Sequence, residues 1–170
     1  MIKMGPAETD PHGNTIMMDK RSWKVLTVFC CVLWLGGCSS FHRAWRAAEK
    51  APAPKGIEGR WEGEWRSEKT GHKGRLQCVI EPTEGEDYLA HYRAHYGGIL
   101  SYSYAVPMRV RHEGNAVLFN GQADLGWLAG GVYTYEGTIL HPADPPRATF
   151  YATYKARSDH GVFEMARPAE

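Results

Sequence analysis

The chain has 170 residues, and its 20 lysines and arginines almost balance its 19 aspartates and glutamates. This length suits one domain with a buried core plus shorter additional segments. A formal charge of +1, with no basic stripe, excludes the usual electrostatic basis for nucleic-acid binding.

The long apolar run of the chain lies near its amino terminus. It extends from Val25 to Leu35, with Thr27 as its one polar residue, and it follows Lys20, Arg21 and Lys24. A transmembrane helix needs about 20 apolar residues, so this run is too short to span a bilayer. Its cationic flank predicts the core of a signal peptide instead.

The run ends in Leu35-Gly36-Gly37-Cys38, which resembles the lipobox of bacterial lipoproteins. In that family, the cysteine thiol receives a diacylglycerol and the signal peptide is cut just before it. The resemblance implies a signal peptide over residues 1–37 and a lipid on Cys38, which attaches the protein to a membrane of the bacterial envelope. In that family, a residue other than aspartate directly after the cysteine favours the outer membrane. Ser39 therefore implies a location on the outer membrane, facing the periplasm. An ordinary secretory signal that contains Cys38 is the alternative.

Residues 1–16 fit no part of a signal peptide, whereas Met17 and Met18 directly precede its charged region. A true start of translation at one of these methionines is therefore an alternative.

Cleavage before Cys38 would leave Cys78 as the second cysteine of the mature chain. With Cys38 lipidated, no internal disulfide could form. We expect Cys78 to be a small buried side chain.

Residues 38–58 are predicted to be a tether. Ala51 to Gly56 contains two prolines, which favour an extended, semi-rigid spacer. The residues before it are either an unstructured linker or a short helix on the membrane surface. The residues that suggest such a helix are Phe41, Trp45, Arg43, Arg46 and Lys50.

From Gly59 onward, apolar and polar residues alternate with a period of two, which is typical of strands. Gly97-Gly98 predicts a two-residue hairpin turn, Asn120-Gly121 predicts a turn, and Pro107 predicts the end or an interruption of its strand. The predicted strands are Gly59–Trp65, Arg75–Glu81, Asp87–Tyr96, Ile99–Val106, Ala116–Phe119, Val132–Ile139, Ala148–Ala156 and Val162–Ala166.

Eight short strands with tight turns predict a small antiparallel up-and-down β-barrel over residues 59–168, with a β-sandwich as the alternative. Gly59-Arg60-Trp61 resembles the Gly-x-Trp signature of the calycins, the superfamily of lipocalins and avidins. The resemblance implies that Trp61 packs across one end of the barrel, beneath Arg167 or Arg157. The resemblance also implies, as an alternative function, that the barrel binds a small ligand as lipocalins do.

All nine tyrosines lie between residues 88 and 154, and on the clearest strand they alternate with alanine. This pattern indicates either a packed aromatic core or a cavity lined with rings and hydroxyls. An interior space of roughly 300 Å³ or more would favour the ligand-binding cavity over the packed aromatic core. The candidate ligand-binding residues are Trp65, Tyr92, Tyr102, Tyr133 and Tyr135.

Catalytic and metal-binding patterns are weak in this sequence. His91 and His95 lie four residues apart on a predicted strand, about 13 Å and too far to hold one metal ion. Glu62 and Glu64 are expected to point into solvent. We therefore expect no enzymatic activity, metal or cofactor. The sequence favours a structural or interaction module, whose partner would be an envelope protein, with binding of a small amphipathic or hydrophobic ligand as the alternative.

Overall fold

Eight strands form one closed antiparallel barrel in the computed structural model of the chain. The structure describes residues 40–83, 85 and 87–169, so the predicted signal peptide and Cys38 lie outside the described residues. Each strand pairs with the next along the chain, and the last pairs with the first. The predicted all-β, up-and-down barrel is confirmed, and the sandwich alternative is wrong. The strands are β1 Gly59–Ser67, β2 Lys73–Pro82, β3 Asp87–Tyr96, β4 Leu100–Glu113, β5 Ala116–Asp124, β6 Val132–Leu140, β7 Thr149–Lys155 and β8 His160–Ala166.

The barrel closes where β8 pairs with β1, in a register that runs from Glu62↔Ala166 to Ser67↔Gly161. Gly63 permits this pairing, because a Cβ at that position would collide with the carbonyl oxygen of Glu164. Closure gives every strand a hydrogen-bonded neighbour on both sides.

Alternate residues of each strand point into the barrel, as the period of two predicts. On β3, Ala90, Tyr92 and Ala94 are buried, while His91 and Arg93 lie between them on the outer face. The alternation of tyrosine with alanine therefore belongs to the interior.

The end of the barrel at which β1 begins is filled by large side chains. Phe150 packs against both Trp61 and Phe119, with ring centroids 5.7 and 5.0 Å apart. Cys78 is a free thiol in this core, as expected, and its burial raises its pKa far above the ordinary value. We call this the closed end and the opposite end the mouth.

Pro107 lies inside β4, so the predicted interruption of that strand is wrong. It pairs with Leu89 on β3, whereas the ladder between β4 and β5 begins only at Met108↔Gly121. The carbonyl oxygen of Pro107 faces Gly121, where a Cβ would lie 2.7 Å away. In an antiparallel ladder, a residue directs its N–H and C=O to the same neighbour. The nitrogen of Pro107 therefore faces β5 just outside the β4–β5 ladder, at a position where the ladder does not need a backbone N–H.

Asn120-Gly121 lies within β5, so the turn predicted there is also wrong. A Cβ at Gly121 would lie 2.8 Å from a methyl carbon of Val106 on β4. The glycine therefore serves the close approach of two strands and not a turn.

The hairpin predicted between β3 and β4 is present, with a loop of three residues instead of two. Gly97 and Gly98 have φ values of 57° and 79°, which glycine adopts without strain. Ile99 completes the loop and is 92% exposed.

Residues 40–50 form a helix, α1, within the segment predicted to be a tether. Its apolar residues recur at helical spacing, and Pro52 lies just beyond its end. Phe41 is 3% exposed and stacks on Trp45. The guanidinium of Arg93 lies 6.0 Å from the centre of the Phe41 ring, and that of Arg60 lies 5.3 Å from the Trp45 ring. Phe41 is thus packed on the barrel wall and is not available to insert into a membrane surface.

Trp61 and Arg167 cover the closed end. The Cζ atom of Arg167 lies 3.9 Å from the centre of the Trp61 ring. Its two terminal nitrogens donate hydrogen bonds to the carbonyl oxygens of Glu58 and Gly56, each at 2.6 Å. Burial lowers the pKa of Arg167 to about 10, so the side chain remains charged at neutral pH.

Replacing Arg167 with alanine is expected to lower the free energy of unfolding by about 3 kcal/mol, because charged hydrogen bonds and a cation–π contact are lost. Arg157→Ala is the matched control at the mouth and should change it by less than about 0.5 kcal/mol. Urea unfolding followed by tryptophan fluorescence measures both values. Equal effects of the two substitutions would contradict the role assigned to Arg167.

Candidate ligand-binding site

A cavity of about 230 Å³ lies inside the mouth of the barrel. Its wall is built from inward-facing residues near the mouth ends of the strands and from the loops between β5 and β6 and between β7 and β8. The lining residues are Trp65, Ala94, Tyr96, Tyr102, Tyr104, Leu125, Ala129, Tyr133, Tyr135, Tyr154, Asp159 and Phe163.

The structure brings four of the five predicted ligand-binding residues to this cavity. Trp65, Tyr102, Tyr133 and Tyr135 line it. Tyr92, the fifth, is 1% exposed and does not line the cavity.

The tyrosines of β4 and β6 stack on one another in a continuous row. Tyr102 stacks on Tyr104, Tyr104 on Tyr135, and Tyr135 on Tyr133, with ring centroids 5.8, 6.2 and 6.3 Å apart and interplanar angles of 22° to 27°. Tyr92 continues this row, stacked 5.3 Å from Tyr104. Near-parallel rings at these centroid distances are offset-stacked, so each ring packs against the next along the wall.

Asp159 is the one charged residue among those that line the cavity. Its Oδ1 atom accepts hydrogen bonds from the Ser67 hydroxyl, at 2.6 Å, and from the His160 backbone N–H, at 2.9 Å. Its Oδ2 atom accepts one from the Tyr154 hydroxyl, at 3.1 Å. Every one of these partners is neutral, so the negative charge of the carboxylate is not balanced by them.

Five of the cavity tyrosines have raised pKa values and remain protonated at neutral pH. Burial is the largest cause that raises their pKa values, and the negative charge of Asp159 adds to it at several of them. The affected residues are Tyr96, Tyr104, Tyr133, Tyr135 and Tyr154. Protonated phenols both donate and accept hydrogen bonds, so the site offers both capacities to a ligand.

Two of the hydroxyls hold the loop between β5 and β6 at the mouth. The Tyr102 hydroxyl donates to the Leu125 carbonyl at 3.2 Å, and the Tyr133 hydroxyl donates to the Ala129 carbonyl at 2.9 Å. These bonds position part of the cavity wall.

The size of the cavity limits what it can hold. Its 230 Å³ lies below the range of about 300–1,000 Å³ that is typical of sites for drug-sized ligands, and so below the roughly 300 Å³ that would favour a cavity for such ligands. It exceeds the roughly 150 Å³ of an engineered cavity that binds benzene. The space therefore suits a ligand of about one ring with short substituents.

Sequence reasoning missed several lining residues. Tyr96, Tyr104, Tyr154 and Phe163 share the inward period of their strands, and that period was the signal that could have identified them. Asp159 follows no such pattern, because it lies in a loop and its bond to Ser67 joins residues 92 positions apart.

A second and larger space, of about 1,080 Å³, is an open groove at the closed end. It runs between the end of α1, the segment that precedes β1, and the carboxy-terminal residues. Prolines and alanines provide much of its lining, including Pro52, Pro54, Pro145 and Ala166. Charged side chains line it as well, but Glu49 and Arg60 are paired with each other and Arg167 is bonded to backbone carbonyls. We do not assign it as the ligand site, because it is an open groove outside the barrel and these three charged groups already have partners.

The other candidate groups lie on the outer face of the barrel, each within contact distance of a side chain that can pair with it. Glu62 lies 2.9 Å from Arg75, and His91 lies 3.2 Å from Glu81. Within residues 40–83, 85 and 87–169, no cluster of three or more histidines, cysteines or acidic residues could hold a metal ion. No helix in that same part of the chain is long and apolar enough to cross a membrane.

The fold and the cavity together define a small antiparallel barrel with an aromatic-lined mouth, which is consistent with the calycin resemblance. Comparisons with protein-family models, with curated proteins and with solved structures find no match.

Raising the pH above about 10 is expected to destabilise the fold. Tyrosines of an unfolded chain ionise near pH 10, whereas the pKa values of Tyr104, Tyr135 and Tyr154 are raised in the folded protein. Above that pH the folded state binds more protons than the unfolded state, so stability falls as the pH rises.

The phenolate absorbance should therefore rise in two steps as the pH is raised. The second step, from the buried tyrosines, should occur at higher pH and coincide with the loss of near-ultraviolet circular dichroism that marks unfolding. Tyr135→Phe should reduce the amplitude of the second step. Smooth titration of every tyrosine near pH 10, with the fold retained, would contradict the burial of these hydroxyls.

Proposed function

We propose that this protein binds a small amphipathic ligand in the mouth of its barrel, without catalysis, as a lipid-anchored module of the bacterial envelope. The observation that carries the binding function is the cavity itself: 230 Å³ lined by tyrosines, a tryptophan and one carboxylate. Protein interiors are otherwise close-packed, so a space of this size beside a filled closed end supports a role for it.

The local sequence explains why the space exists. Ala94 faces the cavity from β3, where the inward residues on either side, Tyr92 and Tyr96, are large. A larger residue at position 94 would fill much of the space. The alternative, a filled barrel that acts only through its surface, would leave the cavity unoccupied.

The lining suggests the chemistry of the ligand. Ring edges and apolar side chains favour an aromatic or aliphatic body, and the hydroxyls favour a polar substituent. The charge of Asp159 favours neutral or cationic ligands and disfavours anions. We therefore expect a ligand of single-ring size that carries a hydroxyl or an amine.

The envelope location is proposed from the amino-terminal sequence. Lys20 to Cys38 holds a charged region, a short apolar core and a lipobox-like end, in the order that lipoprotein signals have. The lipid on Cys38 and the outer-membrane location facing the periplasm belong to this proposal.

Ala94→Leu is expected to abolish ligand binding, because the added side chain fills the cavity. Ala105→Leu is the matched control, since Ala105 is exposed on the outer face of β4 and does not line the cavity. Three probes of one size, tyramine, p-cresol and 4-hydroxybenzoate, would be compared by saturation-transfer NMR and calorimetry.

The unsubstituted protein and the Ala105→Leu variant should bind tyramine and p-cresol more tightly than 4-hydroxybenzoate. Circular dichroism would verify that Ala94→Leu is folded. If no probe binds the unsubstituted protein, or if the folded Ala94→Leu variant binds as well as the control, the cavity is not a ligand site and the surface-module alternative replaces it.

Cys38→Ser is expected to release the protein from the membrane fraction and to remove the mass of the lipid from the mature chain. Cys31→Ser, within the apolar core, is the matched control and should leave both properties unchanged. Cell fractionation and intact-protein mass spectrometry measure the two effects. A Cys38→Ser variant that fractionates with membranes as completely as the unsubstituted protein would contradict lipid anchoring.

A further inference from the structure

The mouth of the barrel carries an unusual concentration of exposed apolar side chains. Among the described residues, eight large hydrophobic side chains are exposed, and six of them lie at the mouth. Four of these six extend from the loops or strand ends, and we call them the apolar rim: Ile99, Leu100, Trp127 and Val132, which are 92%, 71%, 86% and 46% exposed. Single exposed hydrophobics are common, but a cluster at one end marks an interaction surface.

The rim belongs to one side of the mouth. Ile99 and Leu100 come from the turn between β3 and β4, and Trp127 and Val132 come from the connection between β5 and β6. The hydrogen bond from Tyr102 to Leu125 joins these two connections. The remaining loops at the mouth are polar, with Lys69 bonded to the Ser158 carbonyl.

The direction of α1 shows on which side the preceding chain lies. Near its carboxyl end, Glu49 forms a 2.8 Å ion pair with Arg60, at the start of β1 and thus at the closed end. Near its amino end, the His42 ring nitrogen lies 2.7 Å from a terminal nitrogen of Arg93. Arg93 is three residues from the mouth end of β3. The helix therefore begins towards the mouth, beside the turn that carries Ile99 and Leu100.

Cys38 precedes the first described helical residue by two positions. Two residues span at most about 7 Å, so a lipid on Cys38 would enter its bilayer close to the mouth and not at the closed end. Exposed Arg43 lies in the first turn of α1, on the side nearer to the anchor, and exposed Arg46 lies near the middle of the helix. Cations beside apolar and tryptophan side chains are the combination that favours a membrane interface with anionic lipids.

We propose that the apolar rim inserts into the surface of the bilayer that holds the Cys38 lipid, so that the mouth of the barrel faces the membrane. This inference rests on the proposed lipid anchor and adds an orientation to it. It makes the membrane interface the place from which the cavity exchanges its ligand. A partner protein or a second copy of this chain on the rim are the competing occupants.

Fluorescence quenching tests the orientation directly. The full lipidated protein would be reconstituted into vesicles of phosphatidylethanolamine and phosphatidylglycerol with bromine-labelled acyl chains, which quench only tryptophans close to the hydrocarbon. A quenched component should be present in the unsubstituted protein and absent from Trp127→Phe. Trp45→Phe, which alters a ring packed on the barrel wall, is the matched control and should retain that component.

A second measurement does not depend on the lipid. The Cys38→Ser chain should still bind the same vesicles weakly, and the double substitution Ile99→Ser/Leu100→Ser should reduce this binding about tenfold or more, because two buried apolar side chains are lost. The matched substitution Leu140→Ser/Tyr151→Ser removes exposed hydrophobics, 42% and 48% exposed, that are not on the rim. It should leave the binding unchanged.

The outcomes separate this inference from the anchor on which it rests. If Trp127 is not quenched in protein that does carry the lipid, the orientation is overturned while the anchor stands. If vesicle binding does not respond to the rim substitutions, or if the rim instead mediates a dimer seen by light scattering without vesicles, the inference is also overturned. If the chain carries no lipid but the rim substitutions still reduce vesicle binding, the rim is supported and the anchor fails.

Discussion

The pairing of β8 with β1 is the constraint on which the rest of the structure depends. An open meander would expose unpaired backbone groups along its two outer strands, and closure satisfies them. Once the ends meet, every inward side chain shares one interior and the turns divide between its two ends. Gly63 makes this possible at the seam, where any larger residue would meet the backbone of β8. The cavity and the rim both follow from this closure.

The position of the cavity follows from how aromatic rings pack in the two halves of the barrel. At the closed end, Trp61, Phe119 and Phe150 meet one another and fill the interior. At the mouth, Tyr102 and Tyr104 stack along the wall, and the Tyr102 hydroxyl bonds to the Leu125 carbonyl at the edge of the cavity instead of filling its centre. The same residue class thus gives a packed core at one end and an accessible polar space at the other.

The strands, their order and the inward tyrosines could be predicted from the sequence, because alternation is a local property that closure preserves. Pro107 and Asn120-Gly121 could not, because the signals of a strand end and a turn are identical to those of residues accommodated by a neighbouring strand. Only the approach of β4 to β5 distinguishes the two cases. The role of Asp159 could not be predicted from a local pattern, because it depends on a hydrogen bond with Ser67, 92 residues earlier in the chain.

The gap between β4 and β5 connects the ligand site with the proposed membrane orientation. In its mouth half, from Leu100 to Pro107, β4 pairs with β3 but not with β5, and the Tyr102 hydroxyl bridges to Leu125 across the opening. The apolar rim lies on both sides of this same opening, at Leu100 and Trp127. A ligand that partitions into the membrane interface would therefore meet the apolar side chains of the rim first and the cavity hydroxyls next. An amphipathic molecule that leaves the lipid exchanges its contacts in the same order, because it loses apolar contacts first and then gains polar ones.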